Sequence, residues 1–205
     1  MKWRDSLDIP DALVARYLVS EGLEELASST VSEAAVYLRY GLALELALLE
    51  VLSDRGLFSP DLMPACRQAA QRVELSRFRE EEAKTRHDLK ALVNVFSEQC
   101  PEKVRPYIHL GATSYDILAN AHLLRLRAGC QELVLPLLAK VLKQLARLAE
   151  TYKDTPQIGR THGQYAEPMT FGYAMAVYLE RLALCYLEIE RSLELLRGKF
   201  SGAVG

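Results

Sequence analysis

A strong net charge is missing from this chain, since 25 Lys and Arg against 27 Asp and Glu leave a formal charge of -2 and an isoelectric point near 6.1. No general attraction to nucleic acid or to an anionic membrane follows, so any bound anion must be held by specific groups. Cysteine is sparse: Cys66, Cys100, Cys130 and Cys185 are scattered and form no Cys-x-x-Cys pair. That spacing argues against a zinc cluster or a disulfide framework and for small buried hydrophobes in a reducing compartment. The start, Met1-Lys2-Trp3-Arg4-Asp5-Ser6, carries no hydrophobic signal region, and charge interrupts every long apolar stretch. A cytoplasmic chain without a membrane span is therefore expected. Alternating strand patterns of useful length are also absent, which leaves a nearly all-α protein.

What is there is helical. The 205 residues are 50% hydrophobic, enough to bury a real core in one or two domains. A first helix is expected over 32–55, carrying Leu42, Leu46 and Leu49 and closed by Gly56. A second is expected from Pro60 or Met63 to about Phe78, and a third over 80–99, stopped at Cys100-Pro101. From Ile117 to Asp154 the pattern stays helical, with Leu138, Leu142, Leu145, Ala149 and Tyr152 on one stripe and Pro136 as a kink or break. A bundle helix follows from Phe171 to Leu196, ended by Gly198. The expected architecture is all-α: a small N-terminal helical domain, residues 1–108, then the first long helices of an antiparallel bundle, residues 109–205. Two long amphipathic helices cannot cover each other's apolar faces completely, so self-association is expected. The closing Lys199-Phe200-Ser201-Gly202-Ala203-Val204-Gly205 brings no polar cap and reads as a cut.

Four polar clusters stand out. Ile158 to Gly172 places three glycines and the side chains of Arg160, Thr161, His162, Gln164 and Glu167 on one connection, which reads as a site. Pro168 with Thr170, just beyond His162, gives a helix-start signal. Tyr107 to Asp116 contains His109-Leu110-Gly111-Ala112-Thr113-Ser114 ahead of a helix. Thr113 or Ser114 would cap that helix, and a helix N-terminus with two hydroxyls also receives a carboxylate or phosphate. Arg86-His87-Asp88 is expected inside a helix, where consecutive side chains diverge and only Arg86 and His87 line one pocket. Arg16-Tyr17 pairs a guanidinium with a phenol, a combination that suits phosphate.

Taken in order, Arg16-Tyr17, Thr85-Arg86-His87-Asp88, Gly111-Ala112-Thr113-Ser114, Gly159-Arg160-Thr161-His162-Gly163-Gln164 and Ser201-Gly202-Ala203-Val204-Gly205 resemble the N-terminal half of the adenylosuccinate lyases, in the fumarase/aspartase superfamily. The resemblance implies β-elimination of fumarate from a succinyl-nucleotide, with no metal or redox cofactor, in a homotetramer whose active sites draw on three subunits. It implies a phosphate-end role for Arg16 and Tyr17, nucleotide contacts and support of the acid for Arg86, His87 and Asp88, and carboxylate binding for Thr113 and Ser114. His162 matches the general acid, His109 a second histidine of the cleft, and Thr161 and Gln164 join the substrate-binding set. An imidazole that gives and takes a proton near neutrality suits these roles.

Two features depart from the family pattern. The family's proton-abstracting serine lies in a Gly-Ser-Ser-x-Met-Pro-x-Lys-like segment, which these residues do not contain, and Tyr115 follows Ser114 where a smaller or polar residue is usual. Little or no activity is expected from these residues alone. Two other readings stay open: a carboxymuconate cycloisomerase, which shares Gly111-Ala112-Thr113-Ser114 and Thr170-Phe171-Gly172 but typically lacks His162 and the Arg86-His87-Asp88 cluster, and a non-catalytic helical assembly module. His122 is read as structural.

Overall fold

The computed structural model describes Ser32, residues 34–202 and Val204. Arg16 and Tyr17 lie outside the described residues. Helices dominate, as expected, and form two compact units: the described residues up to Ala128 together with those from Arg197, and Gly129–Leu196.

In the first unit a π-helical stretch, Ala34–Gly41, runs into α1, Leu42–Asp54, and Gly56 follows at φ 81°. Helix α2, Met63–Gln71, begins after the single turn Pro60–Leu62. It does not reach Phe78: the N–H groups of Arg72 and Val73 bond back only three residues, Glu74 is extended, and a new helix α3 spans Leu75–Thr85. The break lets Val73 and Phe78 both enter the core; packing overrides the helical propensity of the intervening residues. Helix α4, Asp88–Gln99, runs through the centre of the unit. Its Ala91, Leu92 and Phe96 are fully buried beside Leu49, Cys66 and Phe78. Helix α5, Ser114–Gly129, adds Ile117 and Leu118 to that core.

Cysteine follows the expectation only in part. Cys66 and Cys100 are buried, and burial pushes the Cys100 thiol up to about 12, with neighbouring Cys66 adding to the shift. Cys130 is half-buried and Cys185 is exposed.

The second unit opens with a π-helical turn, Cys130–Val134, and helix α6, Leu135–Thr151, with Pro136 in its first turn. The helical geometry continues through this point, with Leu135 still bonding back to the Cys130 carbonyl, so the proline, which removes one N–H from the ladder, is met by a local switch to π spacing rather than by a break. A two-stranded antiparallel sheet follows, β1 Pro156–Thr161 and β2 Gln164–Thr170. Helix α7, Phe171–Leu195, starts on the Thr170 hydroxyl, which accepts from the Tyr173 N–H at 3.1 Å. Helices α6 and α7 meet closely at Gly172, where a Cβ would stand 2.6 Å from the Lys153 backbone. Val141, Tyr178, Leu184 and Leu187 remain exposed, so this pair leaves much of its apolar surface uncovered. None of the described helices is long and apolar enough to cross a membrane.

Candidate active site

The Arg86-His87-Asp88 cluster is not inside a helix. Arg86 adopts a left-handed conformation, φ 52°, and closes α3, while His87 is extended and caps α4. The joint forms because three side chains satisfy the helix ends: Thr85 Oγ1 donates to the Glu81 carbonyl at 3.0 Å, His87 Nδ1 accepts from the Lys90 N–H at 3.3 Å, and Asp88 Oδ1 accepts from the Leu89 N–H at 2.7 Å. This capping role for Nδ1 assigns the proton of the neutral ring to Nε2, which faces Ser114 Oγ at 3.3 Å. Asp88 Oδ2 accepts from the Tyr37 hydroxyl at 2.8 Å, and its Oδ1 lies 3.3 Å from His87 Nδ1, ready to pair with the ring once it is protonated.

A cavity of about 480 Å³ is lined by His87, Lys90, His109, Gly111 and Ser114, with Leu89, Val93 and Ile108 among its apolar walls. Two of the sequence motifs, separated along the chain, therefore converge on one opening. Arg86, Asp88 and Thr113 stand beside it and do not line it. His109 reaches it from a strained backbone, φ 61°, a conformation that costs a non-glycine residue free energy. Its Nδ1 lies 2.7 Å from Glu45 Oε1. Glu45 is wholly buried in α1, and among the described residues its Oε2 has no hydrogen-bond partner. Imidazoles, a hydroxyl and the Lys90 ammonium around a small opening suit a carboxylate- or phosphate-bearing ligand and proton transfer to or from it.

Thr113 and Ser114 start α5 as expected, but Thr113 is committed within the fold: its N–H and its Oγ1 both donate to Asp116 Oδ2 at 2.9 Å. Asp116 is buried and also accepts from the Ser201 N–H at 2.9 Å, the Gly202 N–H at 3.2 Å and Lys199 Nζ at 3.3 Å. The Ser201 N–H, then the Thr113 N–H, then the Thr113 hydroxyl and Lys199 hold its carboxyl far below the usual range, against the opposing effect of burial. Asn120 adds hydrogen bonds to both the N–H and the carbonyl of Lys199. The closing Ser201-Gly202 motif is thus tied to the Thr113-Ser114 motif through one carboxylate.

The Ile158–Gly172 connection is a β-hairpin, and its last residues open α7 as expected. Thr161 pairs with Gln164 across the two-residue turn His162-Gly163, with φ 49° and 75°. Positive φ at both central residues is the primed turn whose twist matches that of antiparallel strands. The strand periodicity is hidden because β2 holds one more residue than β1 between the pairs Ile158–Pro168 and Arg160–Tyr165, a bulge that shifts the alternation. Thr161, His162 and Gln164 are all exposed. Among the described residues no side chain hydrogen-bonds to His162. Arg160 lies over the Tyr165 ring, 5.3 Å from its centroid.

Lys90 and Glu45 were not singled out from the sequence. Lys90 stands one turn from Arg86 and His87 in the same polar run. Glu45 is an acid on the stripe Leu42, Glu45, Leu49 that α1 buries, and an acid at a buried position of a helical stripe is the signal that would have found it.

A family model described as lyase matches residues 45–205, a span that holds Glu45, His87, His109, Ser114 and His162. The adenylosuccinate lyase of Archaeoglobus fulgidus is 38% identical over 162 residues, 78% of this chain and 36% of that protein. The adenylosuccinate lyase of Pyrococcus horikoshii is 44% identical over 139 residues, 65% of this chain and 29% of that protein. Among solved structures, a fumarate lyase from a Mesorhizobium species superposes with a TM-score of 0.76 at 33% identity, covering 88% of this chain and 42% of that one. The 3-carboxy-cis,cis-muconate lactonizing enzyme of Pseudomonas putida gives a TM-score of 0.77 at 28% identity over the same shares. The chain spans well under half the length of these relatives. On the matched residues, and with three of its four polar clusters inside that span, the chain belongs to the lyase family.

Proposed function

We propose that this chain is the part of an adenylosuccinate lyase-type enzyme that carries the acid and much of the substrate-binding surface. In the reaction a base removes a proton from the β-carbon of the succinyl group, the C–N bond breaks, the departing nitrogen takes a proton, and fumarate and AMP leave. His162 is the acid that protonates the nitrogen. Thr113 and Ser114 serve the succinyl carboxylates, Arg86, His87 and Asp88 the nucleotide, with Thr161 and Gln164 beside the acid and Arg16 and Tyr17 at the phosphate. Donors around the dicarboxylate favour the charge that develops as the β-proton leaves. The setting is purine nucleotide synthesis in the cytoplasm, and the uncovered apolar surface of α6 and α7 is occupied in a homotetramer. The division at residue 108 separates the small helical domain from the bundle.

One observation carries this reading: His87 Nε2 and Ser114 Oγ, from two motifs, stand 3.3 Å apart on the wall of one cavity. The names of the relatives favour adenylosuccinate over a muconate: the curated relatives named here are adenylosuccinate lyases at 38% and 44% identity, whereas the lactonizing enzyme stands at 28%. The base belongs to a serine-bearing segment that these residues do not contain, so the chain alone releases little fumarate. The test is an absorbance assay of adenylosuccinate cleavage by the chain with and without a supplied C-terminal half holding that segment. Activity in the mixture only is the expected result. Full activity of the chain alone, or silence in a mixture shown to be assembled, would overturn it, the second outcome favouring a cycloisomerase or a non-catalytic module.

A further inference from the structure

Glu45 takes no part in the roles assigned so far, yet it is the acid that the fold has buried most completely against the cavity. A carboxylate taken out of water is costly unless it is paired. Its one hydrogen-bond partner among the described residues is His109 Nδ1, at 2.7 Å. The imidazole is the cavity-facing member of the pair: its side chain keeps 22% of its exposure while Glu45 has none. The left-handed backbone of His109 aims the ring inward, and strain of this kind persists where the surroundings over-determine it.

A carboxylate oxygen at an imidazole nitrogen selects the tautomer with its proton on that nitrogen. We propose that Glu45 is the positioning residue of His109, fixing the Nδ1–H tautomer and leaving Nε2 as the proton-accepting atom of the cavity. When Nε2 takes a proton from a ligand, the ring becomes an imidazolium, and the Glu45 carboxylate compensates its charge without itself being protonated, as a buried acid does for a histidine base. His109 is thereby a proton acceptor and carrier beside the His87–Ser114 pair, whose own tautomer is the opposite one. Its use in turnover rests on the lyase reading above; the tautomer does not, and is measured without substrate.

The experiment is long-range proton–nitrogen NMR of the imidazoles in the nitrogen-15-labelled chain, at a pH where the rings are neutral. The chain has 4 histidines, and the His109 signal is identified by its disappearance in His109→Gln. The expected spectrum has His109 protonated at Nδ1. In Glu45→Leu, checked by circular dichroism for an intact helical fold, the proton moves to Nε2, the form free imidazole prefers, while the His162 signals stay where they were. Protonation at Nε2 in the unmutated chain overturns the proposal, even if the leucine variant fails to fold. So does Nδ1–H persisting in a folded Glu45→Leu. In the reconstituted enzyme Glu45→Leu lowers kcat about 10- to 100-fold, the usual loss when a buried partner of a working histidine is removed; an unchanged kcat with the tautomer as expected would overturn the catalytic reading of the cavity and leave the pair standing.

Discussion

The first unit and the hairpin of the second hold their polar residues in different ways. At and beside the cavity three side chains are tied to a buried or backbone partner: His87 by the Lys90 N–H, His109 by Glu45, Thr113 by Asp116. His162 has only a turn beneath it, and Thr161, Gln164 and Tyr165 around it are exposed. One region is organised by its own core. The other is organised by backbone geometry, which fixes where His162 stands and leaves its ring without a second group to set its proton. On the proposed reading, the hairpin gains those partners only in the assembled enzyme, and the exposed leucines of α6 and α7 are part of the same incompleteness.

Changes that break the difference from the side of the first unit have the largest expected effect. Phe96→Ala empties a fully buried site on α4 and is expected to cost about 3–5 kcal/mol, read from chemical denaturation, with the cavity region lost as well. Gly172→Ala strikes the second unit instead. The new methyl group collides with the Lys153 backbone, and a cost of about 1–3 kcal/mol is expected for overpacking. Hydrogen exchange in that variant should rise in α6 and α7, where the collision lies. Gly163→Ala, at φ 75°, forces a side chain into a left-handed turn and should cost about 1–2 kcal/mol, confined to the hairpin.

Acid separates the regions more gently. The Asp116 carboxyl is held below its ordinary value in the folded chain, so its contribution is fully present above the unfolded value of about 3.9 and is lost as pH falls below it. Protection factors at Ser201 and Gly202, taken against the intrinsic exchange rate at each pH, should therefore fall below about pH 4, and Asp116→Asn should show the lower protection already at neutral pH. An Asn variant with wild-type protection at Ser201 would contradict the clamp.

The helix ends were legible where local chemistry decides them: Gly56 after α1 and the Thr170 cap of α7 both follow from single residues. The joint at Arg86 was not, because no glycine or proline marks it; a histidine ring and an aspartate supply the caps, with Thr85 and Tyr37 bonded beside them. The hairpin was missed although Thr161-His162-Gly163-Gln164 has the form of a two-residue turn, since the bulge in β2 disrupts the alternation on which strands are recognised. The members of the cavity were legible as motifs through a resemblance. Glu45 shares the stripe Leu42, Glu45, Leu49, but in a helix with leucines on several faces that stripe does not stand out from the others.

The most direct measurement is the rate of fumarate release from adenylosuccinate by the reconstituted protein, with His162 intact and as His162→Ala. If the exposed hairpin supplies the general acid, the substitution lowers kcat about 10²- to 10⁴-fold while the helical fold is retained. An unchanged rate in a folded, assembled His162→Ala protein would contradict the account and move the proton donor away from the hairpin.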